Sequence, residues 1–356
     1  MFLKPDEFKI LQKGTYEEIE KLVSIPDFLT KTHKSWTPLH VVCKYNTTIP
    51  ILELLISKGC DLTKANDSGW TPLHMVCKYS QSLKIIKLIV EKGSDVNAKT
   101  KTQWTPLHFV CRFLTENTSQ AIQFLVKSGA NVAQPNDEGW TALHFVCNCN
   151  PSTEVLNVLI EAGADYNVQN EAKVTPLHLL CGHFAKVDLI KVLIQSGANP
   201  NLVNRNESTP LHFLAINKKV EKGVARLLLE NGADPETKNK DQTPYEIAKK
   251  RKNEIVLLEI EQWKNPEKFN KSLDSENKII LSTSSQSESD DEEVSIDKMS
   301  KKQLKKKLLK YKTKIKKFEQ KWREEVNKRQ NIEKSLFKIQ KENKELKQLL
   351  DEKEED

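Results

Sequence analysis

A ten-residue phrase recurs through most of the chain at a nearly constant spacing. It begins as WTPLHVVCKY at Trp36 and returns as WTPLHMVCKY, WTPLHFVCRF, WTALHFVCNC, VTPLHLLCGH and STPLHFLAIN, with a degraded copy, QTPYEIAKKR. The threonines occupy positions 37, 71, 105, 141, 175, 209 and 243, so successive copies lie 34 residues apart except for one step of 36. A fixed period of this length indicates stacked supersecondary units rather than a globular domain with one central site.

Each copy reads as two short helices followed by a turn. Thr37 and Pro38 are typical of a helix start, because threonine caps free N–H groups and proline at the first helical position loses no hydrogen bond. Residues 51–56 supply the apolar stripe of a second helix. Polar residues such as 66–69 then favour a turn. Glycines that would end the second helix in the left-handed conformation stand at positions 59, 93, 129, 163, 197 and 232.

With seven copies in phase, the sequence resembles the ankyrin-repeat family over residues 1–264. The resemblance implies an all-α fold with short β-hairpin loops, in which neighbouring repeats bury one another's apolar faces. End repeats need a polar outer face, as the lysines of the last copy provide. The predicted organisation is an N-terminal capping partial repeat (1–33), the ankyrin-repeat solenoid (34–264), a disordered acidic serine-rich linker (265–297), a long coiled-coil helix (298–352) and an acidic tail (353–356).

A histidine and a cysteine lie three residues apart in five of the first helices, beginning with His40 and Cys43. Tetrahedral zinc needs four ligands at about 2.0–2.3 Å, and helices of neighbouring repeats lie about 8–10 Å apart, so each repeat would supply only half a site. In the ankyrin family this histidine is structural and hydrogen-bonds within and between hairpins. The cysteines occupy a small buried position and read as reduced apolar fillers. We therefore expect no metal and no cofactor.

The sequence also favours a non-enzymatic protein. It contains no GxSxG, no GxxxxGK[ST] and no HExxH motif. No apolar run approaches the ~18 residues of a membrane span, and the first ten residues have no hydrophobic signal region. We expect a cytoplasmic protein, with the nucleus as the alternative.

The first three repeats share a tryptophan, a cation and an aromatic residue at the positions where the family varies for partner contact. Such residues dominate binding energy at interfaces, and interleaved cations favour an extended or acidic protein segment. The alternative is that each tryptophan only packs on the next hairpin. Single-stranded nucleic acid is a weaker candidate, because residues 1–264 carry 32 basic and 29 acidic side chains, a net charge of +3. The predicted partner-binding residues, on the concave face, are Trp36, Lys44, Tyr45, Trp70, Lys78, Tyr79, Trp104, Arg112, Phe113 and Trp140.

The linker contains an acidic run, residues 288–293, and serines in it and just before it resemble acidophilic kinase sites (Ser285, Ser287 and Ser289). The plain reading is a solvated spacer. We hypothesise that this run competes with a partner for the cations at 44, 78 and 112.

Apolar residues recur at 4,3 spacing after residue 298, which predicts a coiled coil and a parallel homodimer. Asn343 falls at an a position, where a buried asparagine fixes register. Residues 298–317 hold eleven lysines and no acid. Three interpretations are open: a solvated helix face outside the coiled-coil seam, a nuclear-localisation or nucleic-acid patch, or a segment that pairs with the acidic stretch 288–293 or binds an anionic membrane surface. The predicted oligomerisation residues are Leu308, Tyr311, Ile315, Phe318, Trp322, Leu336, Ile339, Asn343 and Leu346.

Overall fold

The computed structural model describes residues 2–80, 82–113 and 116–265. The predictions for the linker beyond residue 265, the coiled coil, its oligomerisation residues and the acidic tail lie outside these residues. The described part forms sixteen α-helices and a short 3-10 helix, Phe28–Thr30. The α-helices are α1 (Pro5–Lys13), α2 (Tyr16–Val23), α3 (Pro38–Tyr45), α4 (Ile49–Ser57), α5 (Pro72–Tyr79), α6 (Leu83–Glu91), α7 (Pro106–Phe113), α8 (Thr118–Lys127), α9 (Ala142–Cys149), α10 (Thr153–Glu161), α11 (Pro176–His183), α12 (Val187–Gln195), α13 (Pro210–Ile216), α14 (Val224–Glu230), α15 (Pro244–Arg251) and α16 (Glu254–Lys264).

The helices stack in two rows. Each odd-numbered helix packs on the next odd-numbered one, from α1 on α3 to α13 on α15. Even-numbered helices form the second row, with α2 on α4 and a continuous run from α6 to α16. Buried apolar side chains form one cluster that extends from Leu3 to Ile260. The predicted all-α solenoid is therefore confirmed for the described residues.

The phrase Thr-Pro-Leu-His begins the first helix of a repeat, as predicted. In α3 the N–H of His40 donates to the Thr37 hydroxyl at 3.4 Å, and Pro38 occupies the first helical position. The second helices end at glycines with positive φ, for example Gly93 at 103° and Gly197 at 105°. A residue with a Cβ is strained in this region, so glycine is the residue that fits there.

The loops between repeats are hairpin turns. Asn66 donates its N–H to the Trp70 carbonyl at 2.9 Å, and Gly69 donates back to the Asn66 carbonyl at 2.8 Å. Neighbouring turns are joined as well, because the Lys101 N–H donates to the Ser68 carbonyl at 2.9 Å. Among the residues described, the paired segments are isolated bridges and none extends into a strand. Within the same residues, no helix is long and apolar enough to cross a bilayer.

Candidate partner-binding site

The motif histidine ties each first helix to the hairpin of the following repeat. In α5 the Nε2 of His74 lies 3.1 Å from the Trp104 carbonyl oxygen, and its Nδ1 lies 3.0 Å from the Thr71 backbone nitrogen. A carbonyl only accepts, so Nε2 carries the proton and Nδ1 accepts from the Thr71 N–H. The following tryptophan is thereby fixed in place through its own backbone. Equivalent bonds join His40 to Trp70, His144 to Val174, His178 to Ser208 and His212 to Gln242. In the third repeat Nε2 of His108 instead lies 2.9 Å from the Gln134 carbonyl oxygen, at the position that corresponds to Ala98, which His74 also contacts.

Burial of these rings opposes their protonation. It lowers the pKa of His74, His108, His144 and His178 to about 4 each. Burial likewise lowers the pKa of His40 and His212 below the ordinary value. A neutral imidazole is also what the hydrogen bonds need, because Nδ1 must accept.

The cysteines beside these histidines are buried. Desolvation raises the pKa of Cys77 and its repeat equivalents well above the ordinary thiol value, so the thiols stay protonated. The half-buried Cys60, which lies outside the motif, has its pKa raised to about 12 for the same reason. No group of three His, Cys, Asp or Glu side chains that could hold a metal ion occurs among the described residues.

The tryptophans take part in packing between repeats. The ring centroid of Trp70 lies 4.6 Å from that of Phe109 in the next repeat, and Trp104 lies 4.5 Å from Phe145 in the repeat after. Both tryptophans are half-buried. Aromatic pairs at this distance stabilise by about 0.5–1.5 kcal/mol beyond the area they bury. The structure therefore gives these two tryptophans a packing role, and each keeps part of its surface exposed.

The cation of the first repeat lies among three aromatic rings. The Nζ of Lys44 is 5.1 Å from the ring centroid of Trp36 and 4.7 Å from that of Tyr45, both in its own repeat. It is also 5.2 Å from the ring of Tyr79 in the second repeat. These distances are within the range of cation–π attraction.

The second and third repeats reproduce this arrangement. Lys78 Nζ lies 5.0 Å from the Trp70 ring, 5.1 Å from the Tyr79 ring and 5.4 Å from the Phe113 ring. The guanidinium carbon of Arg112 lies 5.4 Å from the Trp104 ring, 5.3 Å from Phe113 and 5.9 Å from Phe145. Each cation is thus held by two rings of its own repeat and one ring of the next.

We call this surface the cation–aromatic ladder. Its members are Trp36, Lys44, Tyr45, Trp70, Lys78, Tyr79, Trp104, Arg112, Phe113 and Phe145.

The ladder carries uncompensated positive charge. The ion pairs within the described residues are Lys31–Glu7, Arg226–Glu230 and Lys264–Glu236, and none includes a ladder cation. Tyr45 is 47% exposed and Tyr79 is 41% exposed, so the ladder also presents aromatic surface to solvent. The arrangement is suited to an anionic ligand that also offers apolar surface.

The ladder stops at the fourth repeat. Trp140, a predicted partner-binding residue, has no cation beside it, because Asn148 stands where the earlier repeats have lysine or arginine. Its ring packs on Phe145 at 5.2 Å, and no cation–π contact involves it among the described residues. Nine of the ten predicted partner-binding residues therefore lie together, and Trp140 lies apart from the cations.

Sequence reasoning missed the two phenylalanines behind the tryptophans. Phe109 and Phe145 are almost fully buried and stack against tryptophans of two repeats. They occupy a motif position that holds Val41 in the first repeat and Leu179 in the fifth. The same position holds Met75 in the second repeat, which also follows a tryptophan-bearing repeat, and Phe213 in the sixth, which does not. The residue type at this position therefore gives no sequence signal for the stacking on tryptophan.

The two rows of helices and the repeated hairpins define a helical-repeat protein, and the candidate site spans several repeats. A family model described as ankyrin repeats (3 copies) matches residues 9–100, 95–170 and 177–261, well over half of the chain. The chain therefore belongs to the ankyrin-repeat family, whose repeats are protein-binding modules that typically have no catalytic activity. No curated protein matches the chain.

Proposed function

We propose that this protein is a non-enzymatic adaptor that binds an acidic segment of a partner protein through the cation–aromatic ladder. Protein binding is the general role of the ankyrin family. The observation that supports this particular surface is the row of three unpaired cations, Lys44, Lys78 and Arg112, each held among rings of two adjacent repeats.

The rings make these cations suited to binding. An immobilised side chain costs about 0.5–1.5 kcal/mol of entropy when an interface forms. Cation–π contacts worth about 0.5–1 kcal/mol at exposed sites already restrict the three side chains before a partner arrives. Their N–H groups then form charge-assisted hydrogen bonds with carboxylates or phosphates.

Self-association through residues 298–352 completes the proposal. A parallel coiled coil would bring two ladders together, so that a partner with two acidic segments gains avidity. Sedimentation equilibrium of the full chain beside a chain ending at residue 297 tests this step. A dimer for the full chain and a monomer for the shorter one is expected, and a full-length monomer would exclude it.

Affinity capture from the source cell tests the ladder. One bait is the full chain, and a second carries Lys44→Gln, Lys78→Gln and Arg112→Gln, which remove charge but keep side-chain length. Trp70 and Trp104 stay unchanged because they support the packing between repeats. A matched control carries glutamine at three exposed lysines on the second-row helices, namely Lys84, Lys127 and Lys191.

The ladder variant is expected to lose specific partners that the wild type and the control retain. All three baits should give the same helical circular dichroism signal. If the ladder variant keeps every partner, the ladder is a packing feature and the binding site lies elsewhere.

A second candidate function is nucleic-acid association through residues 298–317, supported by eleven lysines without an acid in that segment. Such binding weakens linearly in log affinity against log salt, with a slope set by the number of phosphates contacted. Deletion of 298–317 should abolish it, whereas the ladder variant should leave it unchanged.

A further inference from the structure

The three ladder cations are spaced by the stacking of the helices that carry them. Lys44, Lys78 and Arg112 lie near the ends of α3, α5 and α7, which pack on one another in order. Packed helix axes are about 8–10 Å apart. Each cation also contacts a ring of the following repeat, which limits its movement along the stack. The ladder therefore presents three positive charges over about 16–20 Å.

This spacing selects among backbone conformations of a bound segment. A β-strand repeats each face every second residue, or about 6.8 Å, so two steps cover only about 13.6 Å. An α-helix returns to one face after seven residues, about 10.5 Å, and two such steps reach about 21 Å. A polyproline II helix has three residues per turn and rises about 3.1 Å per residue, which gives about 9.3 Å per step and about 18.6 Å for two. The polyproline II value lies in the middle of the span of the ladder, whereas the β-strand value lies below it and the α-helical value lies at its upper limit.

The exposed rings fit the same conformation. Tyr45 and Tyr79 lie beside the cations and are each about half-exposed. Polyproline II segments dock on aromatic-lined surfaces, and they lose little entropy because they are extended before they bind. The residues between the anions of such a segment would pack on these rings.

We infer that the ladder binds an extended, polyproline II-like protein segment with an anionic side chain at every third residue, three in all. The inference rests on the proposed function and specifies its ligand. The number of anions is three because the ladder ends at the fourth repeat, where Asn148 replaces the cation. Carboxylates and phosphoserines share the required chemistry.

Fluorescence anisotropy with synthetic peptides and the full 356-residue chain tests the spacing. Three labelled peptides of identical composition, rich in proline and alanine, carry glutamates three, two or seven residues apart. A fourth carries phosphoserines three apart. If the acidic run at residues 288–293 competes for the ladder, it competes equally with every peptide and leaves the ratios of their affinities unchanged.

A peptide with anions three apart, carboxylate or phosphate, is expected to bind about tenfold more tightly than the peptides with glutamates two or seven apart, since loss of one charge-assisted contact costs about that factor. Comparison of the glutamate and phosphoserine peptides with three-residue spacing shows which anion the ladder prefers. Equal affinities, tighter binding at another spacing, or no binding of any peptide would overturn the inference.

The register is tested separately at the middle cation. Replacing the central glutamate of the three-apart peptide by glutamine should weaken binding to the wild-type chain several-fold and leave binding to Lys78→Gln almost unchanged. The control Lys84→Gln should behave as the wild type. An equal loss of affinity on wild type and Lys78→Gln would contradict the inference. If affinity capture still depends on the ladder while the peptides fail, the ligand assignment is wrong and the proposed function stands. If capture does not depend on the ladder, both are wrong.

Discussion

Replacing Phe145 by alanine is expected to destabilise the array by about 3–5 kcal/mol, the range for truncating a buried phenylalanine. Phe145 is 2% exposed. Its ring centroid lies 4.5 Å from that of Trp104, 5.2 Å from that of Trp140 and 5.4 Å from that of His108. Alanine would remove three ring contacts and open a cavity between the third and fourth repeats.

Phe145→Leu is the matched control, because Leu179 occupies the same position one repeat later. Leucine keeps most of the volume and loses only the ring contacts, so a cost of about 1–2 kcal/mol is expected. Urea unfolding of the full chain, followed by circular dichroism and tryptophan fluorescence, measures both variants. The alanine midpoint should fall well below the leucine midpoint. If the two midpoints coincide, or if neither variant loses 1 kcal/mol, the packing argument is refuted.

Three further predictions follow from the same contacts. The motif histidines with a pKa of about 4 stay neutral in the folded array down to that pH. Their contribution to stability should therefore be constant above about pH 6.5 and should fall between about pH 6.5 and 4, because the unfolded chain takes up protons there. Equal urea midpoints at pH 7.5 and 5 would contradict this. Gly139→Ala should cost more than about 1 kcal/mol, because φ is +76° and a Cβ would lie 2.8 Å from the Glu171 nitrogen; Gly232→Ala, at similar φ in open space, should cost less in the same denaturation assay. Glu259→Ala should cost about 1–3 kcal/mol, because the buried carboxylate accepts from the backbone N–H of Gly223 and of Arg226; a thermal midpoint equal to that of wild type would count against it.

The repeated phrase predicts the helices because its residues act locally. Thr37 and Pro38 favour a helix start because they act within one turn, and Gly93 tolerates the left-handed conformation that ends the second helix. The role of the histidine came from the family resemblance, and the bond from His74 to Trp104 confirms it. The solenoid follows from these local rules together with the 34-residue spacing of the copies, which stacks the helix pairs in sequence order.

The candidate site was only partly predictable from sequence. The alignment of copies placed Lys44 and Tyr45 together, since neighbours on one helix stay neighbours in the fold. It did not show that Lys44 also meets Tyr79 of the next repeat, because that contact depends on the stacking distance. Nor did it show that Trp70 is held by Phe109, because the core side of each helix looks uniformly apolar in sequence. Contacts within a repeat are readable from the phrase, whereas contacts between repeats depend on packing.

The effects of a mutation on ligand binding and on stability should therefore be separate at Lys44, the first cation of the ladder, and linked at Arg112, the third. Lys44 is surrounded by rings that are partly exposed to solvent, so Lys44→Gln should weaken ligand binding and have little effect on the free energy of unfolding. Arg112 rests in part on Phe145, whose main role is to join the third and fourth repeats, so Phe145→Leu should weaken both. In an array where each repeat contacts only its neighbours, a ligand that contacts all three cations binds only the stacked repeats. A ligand at a concentration of a hundred times its dissociation constant would raise the free energy of unfolding of those repeats by about 2.7 kcal/mol. This increase should be smaller in Lys44→Gln at the same ligand concentration, although the stability of this variant without ligand is expected to be nearly that of the wild type.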